Sequence, residues 1–314
     1  MLDLSLIIPT YNEAESLSEL HAQLCHVLPP QGKFNAEILY IDDGSSDDSY
    51  SILKQLQKTD VRIRIIRFPK NMGKTIALAQ GFKLCQGNII VTLDADLQND
   101  PGDIIPMIEQ LNEKVDLVCG WRKIRKDPWH KTIPSLFINF VIRHLVNLDI
   151  HDVNCGLKVF KREIIKKFQL FGKQHRYIPL KAYFSGYYIT EHILNHRPRQ
   201  YGQSKYGFLR FPEGVFDLLS ILFIGKFNRS PIYLFGGLGF MIFMVGFLIL
   251  SYLSVGWLFG QWISSRPLFS MSILLIIFGF QMISIGLLAE LMLNLFSPDY
   301  EPPYDEIEPG DEAK

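Results

Sequence analysis

The chain has 314 residues, of which 48% are hydrophobic and 20% charged, a balance that excludes a disordered polymer or a wholly polar globule and leaves length for two domains. Its 32 basic and 32 acidic residues cancel, but Asp299 to Lys314 holds seven acids and one lysine, net −6, which leaves +6 for the rest. That excess is too small for a nucleic-acid binder and points to local anion sites or a membrane surface.

The first segment has an acid at Asp3 and only a short apolar run before Pro9. It lacks the basic start and long apolar stretch of a signal peptide, so the first domain is expected in the cytosol. Short β-rich runs then alternate with helical patterns: LSLIIP, then Glu13 to Val27; AEILYID, then Asp47 to Gln57; VRIRIIRF, then Lys74 to Cys85; NIIVTLD, then Pro101 to Glu113; and VDLVCG. This is a βαβ series, and its nearly continuous apolar strands predict a parallel sheet covered on both faces. Such sheets bind ligands at the carboxyl ends of their strands, where PTYNE, DDGSSD and DADLQ fall. The GKT at Gly73 to Thr75 is not a P-loop, because Phe68 stands where that loop needs a glycine. Asn71, Gly73 and Lys74 instead read as a helix-entry turn that brings a lysine near the ligand.

Farther on, Ile133, Leu136, Phe137, Phe140, Val141, Leu145 and Leu148 recur at helical spacing, which fits either core packing or a helix lying on a bilayer. Val215 to Ile224 is richer still in apolar residues and is expected as an interfacial helix. No charged residue occurs between Arg229 and Arg266. Ile232 to Gly260 would make a helix of roughly 43 Å, longer than a bilayer core of about 30 Å requires, and Leu268 to Ala289 fits a second span. Trp257, Trp262 and Arg266 mark the turn between them as interfacial anchors would. Lys226 and Arg229 precede the first span, so both ends are expected to face the cytoplasm. Gly236, Gly237, Gly239 and Gly246 would allow close helix contact, extending to a homo-oligomer. The organisation expected is a domain over 1–210, an amphipathic juxtamembrane helix over 211–230, a two-helix hairpin over 231–290 and a solvated acidic tail over 291–314.

Asp94, Asp96 and Gln98 alternate at a strand end, so both acids and an amide oxygen can face one ligand. Hard oxygens suit Mg²⁺ or Mn²⁺. Asn99-Asp100-Pro101 is also a good helix start, so the acids alone would fit a helix entry equally well. With Asp42 and Asp43 at the neighbouring strand end, several acids converge, and they repel unless a cation is bound. Cys25, Cys85, Cys119 and Cys155 form no close pair, which argues against zinc, a redox dithiol or a disulfide framework, and Cys155 has no visible activating partner. His175, His192 and His196 lack metal spacing and are expected at the surface or in hydrogen bonds.

LIIPTYNEAESL, ILYIDDGSSDDS, NMGKTIALAQGF and VTLDADLQNDP, in this order and spacing, resemble the family two glycosyltransferases, whose nucleotide-diphospho-sugar transferase fold is the α/β GT-A type. HDVNCGLKVFKRE, HRYIP and HRPRQYGQSKYG are similar to the polyprenyl-phosphate branch, which includes dolichyl-phosphate mannose synthases and bactoprenol glucosyltransferases. The resemblance covers residues 4 to about 226, and the two terminal spans match the bactoprenol glucosyltransferase arrangement. The Q-x-x-R-W of processive synthases is missing, which favours single sugar transfer.

By position, the resemblance implies that Pro9, Tyr11, Asn12 and Glu13 line a nucleotide and that Asp42 reads its base, with Asp43 beside it. Asp94 and Asp96 match the D-x-D acids and Gln98 a third metal-side group, with Asp96 the foremost metal ligand. Arg122 and Arg125 are placed either to stabilise a leaving diphosphate or to form a solvated basic turn. Asp152 matches an acid often proposed as general base. A lipid phosphate has a second pKa of about 6 and is already largely ionised, so the other reading has Asp152 position the acceptor or a cation. Arg199, Ser204 and Lys205 either grip the acceptor phosphate or form a generic basic cluster drawn to anionic lipid. The implied activity is inverting, Mg²⁺- or Mn²⁺-dependent transfer of one hexose from a nucleotide-sugar donor to a polyprenyl phosphate at the cytoplasmic membrane face. UDP-glucose is the first choice; GDP-mannose with a dolichyl acceptor, or another sugar such as an aminoarabinose derivative, are the alternatives. A non-catalytic nucleotide-sugar-binding scaffold is disfavoured because Asp42, Asp94, Asp96 and Gln98 are all present.

Overall fold

Leu4, Leu6 and Ile8 project to one face of strand β1 (Leu4–Thr10) and Ile7 to the other, and all four are fully buried, as an interior strand requires. In the computed structural model, residues 2–123, 148–166, 174–198, 230–260 and 267–296 are described, with isolated positions 139, 142, 143, 146, 170, 223 and 262. The chain divides into two compact units, 1–221 and 222–314.

In the first unit, β1, β2 (Ala36–Asp42), β3 (Ile63–Arg67) and β4 (Ile89–Thr92) pair in parallel, in the order β3-β2-β1-β4. Helices α1 (Ala14–Val27), α2 (Ser49–Thr59) and α3 (Lys74–Leu84) connect them. Leu17, Leu20 and Leu24 of α1 and Leu53 of α2 join Leu6 and Ile8 in the core. On the opposite face, Gly81 of α3 sits so close to Ile7 that a Cβ there would lie 2.4 Å from its Cγ2. Both faces are therefore covered, and the β1, β2 and β4 ends open on one side, where a parallel sheet of this kind binds its ligand.

The expectation of a wholly parallel sheet is corrected beyond β4. Strand β6 (Lys158–Lys161) inserts antiparallel between β4 and β5 (Leu117–Trp121), and β7 (Ile189–Ile193) adds parallel to β5, completing seven strands in the order β3-β2-β1-β4-β6-β5-β7. KVFK is too short and too polar at its ends to announce itself, and its burial comes from two neighbours it meets only in the tertiary structure. Short helices α5 (Arg162–Lys166) and α6 (Ile178–Phe184) complete the unit. The fourth predicted helix is also shorter than expected: a single 3-10 turn, Pro101–Asp103, leads into α4 (Ile104–Glu109). Asn112 ends it, since its Oδ1 accepts from the amides of Lys114 (2.8 Å) and Val115 (3.0 Å) and closes a turn instead. Of the apolar positions expected in the first amphipathic stretch only Leu148 is described, and it is buried. Its other expected positions and Val215 to Ile224, apart from Phe223, lie outside the described residues.

The second unit is an antiparallel hairpin of α7 (Ile232–Leu258) and α8 (Pro267–Phe296), both long and apolar enough to cross a membrane and both largely uncovered by protein. They touch through glycines. A Cβ on Gly239 would be 2.7 Å from the Gly279 carbonyl oxygen, and one on Gly246 would be 2.8 Å from that of Ser272. Gly237 faces open space. The second helix runs past the expected Ala289 and includes Glu290, whose Oε2 lies 3.5 Å from the Ile232 amide at the start of α7. An acid is tolerated there because that amide belongs to the first turn of α7, which has no intrahelical partner for it.

Candidate functional site

The loops leaving β1 and β2 are fastened to each other. Asn12, held at φ 52°, donates its amide to Ser45 Oγ at 3.0 Å and accepts from the Ser46 amide on its Oδ1 at 2.8 Å. The Glu13 amide donates to Ser49 Oγ at 2.9 Å, and the Ala14 amide to Asp47 Oδ2 at 3.1 Å. Between the loops lies an open polar pocket of about 430 Å³, lined by Asn12, Glu13, Ser46 and Asp47 among others, with Pro9 and Tyr11 half-buried nearby in sequence. Asp42 ends β2 with no exposed surface. Its Oδ1 accepts from the Ser45 amide at 3.0 Å; its Oδ2 stands 3.1 Å from Arg67 Nε, an ion pair whose angle falls short of a hydrogen bond. The Arg67 guanidinium in turn lies 4.0 Å over the Tyr50 ring. Arg67, Tyr50 and Asp47 were not singled out from the sequence.

Asp43 turns away from Asp42. Its two oxygens accept from the amides of Met72 (2.7 Å) and Gly73 (2.9 Å), so it pins the turn that carries Lys74. Burial pushes the Asp43 carboxyl up from its ordinary value, with those two amides pulling the other way. Gly44, at φ 70°, lets the β2 loop pass against this turn: a Cβ would sit 2.5 Å from the Lys70 carbonyl carbon. Lys74 reaches back to Asp94, Nζ to Oδ1 at 2.5 Å. Burial acts to raise the Asp94 carboxyl, but Lys74, reinforced by Lys158 and Arg122, outweighs it and holds the group below the ordinary carboxylate value. Lys158 is buried beneath, its ammonium donating to the Cys155 carbonyl oxygen, and burial lowers its own pKa. Gly156 leaves the room Asp94 occupies, since a Cβ there would be 2.4 Å from Asp94 Oδ2.

Along Asp94 to Asn99 the odd positions are buried and Asp94, Asp96 and Gln98 are half-exposed together, so the expected alternation is present in the fold. It is achieved with a Leu97 at φ 58°, a conformation that costs a non-glycine residue roughly 1–2 kcal/mol. Strain of this kind concentrates where function over-determines the backbone. Asp96 Oδ1 accepts from the Gln98 amide at 3.3 Å, and the Gln98 carbonyl accepts from the Arg197 amide at 2.9 Å. Arg197 itself pairs with Asp100 and donates to Gln23 at 2.9 Å. Two half-exposed carboxylates and an amide oxygen on one short segment are hard-oxygen donors whose chemistry suits Mg²⁺ or Mn²⁺.

Past β5, Arg122 and Asp152 form a two-pronged ion pair, Nε to Oδ2 at 2.7 Å and Nη2 to Oδ1 at 3.1 Å, and Asp152 has no exposed surface. The His151 ring stacks on Trp121, with centroids 4.1 Å apart and planes 16° from parallel. Glu191, on β7, accepts from the amides of both His151 (2.7 Å) and Asp152 (3.0 Å). Arg125, Arg199, Ser204 and Lys205 lie outside the described residues.

Other candidates are occupied elsewhere. His175 Nδ1 meets Thr75 Oγ1 at 2.7 Å and His192 Nδ1 meets Gln110 Nε2 at 2.7 Å, as hydrogen-bonded histidines were expected to do. Burial pushes the Cys155 thiol up to about 11, away from nucleophilic use. His21, Cys25 and Asp60 approach one another, with His21 Nε2 3.4 Å from Cys25 Sγ and 3.6 Å from Asp60 Oδ2. This group gathers where α2 ends and the chain turns to enter β3, opposite the strands' carboxyl ends, and Arg62 already supplies its positive charge, Nη2 lying 2.6 Å from Asp60 Oδ2.

Residues 5–169 match the family described as Glycosyl transferase family 2. Over 310 residues the chain is 34% identical to a dodecaprenyl-phosphate galacturonate synthase of Rhizobium johnstonii, covering 96% of this chain and 91% of that protein. It is 33% identical to an undecaprenyl-phosphate 4-deoxy-4-formamido-L-arabinose transferase of Salmonella paratyphi B, covering 93% and 89%. Among solved structures, glucosyl-3-phosphoglycerate synthase from Mycobacterium tuberculosis, in complex with Mg²⁺ and uridine diphosphate, superposes with a TM-score of 0.56 at 15% identity, over 70% of this chain and 79% of that one. That likeness establishes the GT-A-like fold.

Proposed function

Because the chain belongs to glycosyl transferase family 2, we propose that it moves one sugar, with inversion, from a nucleotide diphosphate sugar to a polyprenyl phosphate at the cytoplasmic face of a membrane. The observation that carries this reading is the pairing of Asp94 with Lys74 at the strands' carboxyl ends, in a chain that also holds two helices fit to span a bilayer. Relatives aligned over 93–96% of the chain are polyprenyl-phosphate sugar transferases by name. Their alignments extend through the hairpin, so a two-span arrangement no longer singles out glucose.

An oxygen of the lipid phosphate attacks the anomeric carbon while the bond from that carbon to the diphosphate breaks, and the nucleoside diphosphate leaves with the electron pair. No proton has to move, since the attacking phosphate is already ionised near neutral pH. Asp152, buried with both oxygens on Arg122, suits the positioning role better than that of a base. It aims a planar guanidinium at charge that grows on the leaving diphosphate. Lys74, held on the pinned turn, is the second cation within reach. Asp96, Asp94 and Gln98 would hold the divalent ion, which when bound supplies further neutralisation of the diphosphate. Asn12 and Glu13 line the nucleotide end, and the buried Asp42 fixes the Ser45 amide of the facing loop. Both substrates are anions, which explains why a chain of zero net charge gathers Lys74, Arg122 and Lys158 in one region.

The test is product formation by the full chain in detergent with a short polyprenyl phosphate, Mg²⁺ or Mn²⁺, and nucleotide-activated glucose, mannose, galacturonate and 4-deoxy-4-formamido-L-arabinose. One donor is expected to give glycosyl lipid, with Asp96→Ala or chelator removing at least a hundredfold of the rate. Folded protein that binds donors without turning any over, with or without metal, would favour the scaffold reading.

A further inference from the structure

Resting on that reading, we propose that Glu191 is a positioning residue of the site: it fixes the turn that carries Asp152 and, through Asp152, the direction of Arg122. Parallel pairing of β7 with β5 sets Glu191 opposite Cys119, two residues before Trp121. From there one carboxylate oxygen accepts from two successive amides, His151 at 2.7 Å and Asp152 at 3.0 Å, and the other meets His151 Nδ1 at 2.8 Å. His151 is held from two further sides. Its carbonyl accepts from Asn139 Nδ2 at 2.7 Å, and its ring lies on Trp121. Every side-chain hydrogen bond described for Glu191 thus goes to His151 or Asp152, and the next bonds outward are those that Arg122 donates to Asp152.

The physical chain is short. Hydrogen bonds from amides to an ionised carboxylate are about twice as strong as neutral ones. Removing the acceptor leaves two amides in a partly buried turn unsatisfied, and the turn relaxes to find new partners. Because Arg122 presents a rigid fork, a small rotation at Asp152 turns the whole guanidinium away from the diphosphate. An acid that merely stabilised the sheet would have no reason to spend its side chain on His151 and Asp152.

The experiment uses the full chain carrying Glu191→Ala, Glu191→Gln, Asp152→Ala and the Asp152→Ala/Glu191→Ala pair. Alanine at 191 is expected to lower kcat on the order of 10–100-fold, as loss of an orienting partner does, with KM for the acceptor little changed. Glutamine keeps an oxygen for the two amides and should retain most of the rate. The double variant should be no slower than Asp152→Ala alone. A second arm needs no substrate: Glu191→Ala should lower the melting temperature of both the wild type and Asp152→Ala, because both keep the two amides that Glu191 holds. If the wild type transfers no sugar, the function is wrong and the melting arm still decides whether Glu191 holds the turn that carries Asp152. Wild-type kcat in Glu191→Ala, losses that multiply in turnover, or a Glu191→Ala chain that melts like its parent would overturn the proposal. Should the alanine variant not fold, Glu191→Asp enters the same cycle, with the same pattern at smaller size.

Discussion

A Cβ on Gly156 would lie 2.5 Å from Asp94 Cγ as well as against its Oδ2, so the site depends on an empty volume at this residue as much as on the carboxylate. Asp94 can yield by swinging its short side chain, but only by leaving Lys74. Gly156→Ala is therefore expected to fold with a melting temperature near that of the wild type and to lose on the order of 10–100-fold in kcat/KM, the scale of a misplacement of about 1 Å. Full activity in a folded Gly156→Ala would show that Asp94 need not sit where it does. Residue types and local spacing made part of this site legible. The half-exposure of Asp94, Asp96 and Gln98 was readable from their polarity between Ala95 and Leu97, although the backbone turns at Leu97 rather than running extended. Its partners were not: Lys74 lies 20 residues from Asp94 and Glu191 39 from Asp152, and no local period encodes such pairings. Asp43 shows the opposite error, an acid of the right type beside the right neighbour whose oxygens both go to backbone amides.

At the scale of elements, helical and strand periods located β1 to β5 and α1 to α3 to within a few residues, because each buries a continuous apolar face. They did not reveal β6 and β7, whose burial comes from neighbours rather than from their own composition; β7 is only half-buried along its length. The hairpin glycines were visible, but their direction was not. Gly279, not singled out beforehand, lies closest: a Cβ there would be 2.6 Å from both the Gly239 carbonyl oxygen and the Phe243 amide nitrogen. These are backbone atoms of a packed helix and cannot step aside. Gly279→Leu should therefore pry α7 from α8 and lower the melting temperature in detergent, whereas Gly237→Leu, with nothing within 4 Å, should leave it unchanged. Equal effects of the two, in either direction, would mean that the hairpin is not held by this contact. Gly239 and Gly246 are engaged within the chain, so contact between subunits through them would need the hairpin to open.

For the molecule as a whole, the reaction constrains where the catalytic unit lies. Nucleotide sugars are charged and soluble, the acceptor is embedded in a bilayer, and a chain that joins them needs its first unit on the side where the donor is made. Because α7 and α8 are antiparallel, both hairpin ends share one side, and Lys226 and Arg229 before α7 outnumber Arg266 in the turn. Basic residues flanking a span favour the cytoplasmic side, so the turn should face outward. In cells expressing Cys25→Ser, which removes the half-exposed native thiol, a cysteine introduced as Ser264→Cys should react with a membrane-impermeant maleimide in the intact cell. One introduced as Ser230→Cys should react only after permeabilisation. The reverse pattern would put Asp42, Asp94 and Asp96 on the far side from cytoplasmic nucleotide sugars. Polyprenyl-phosphate transfer would then require an external donor, and the assignment of donor and membrane face would fall together while the fold stood.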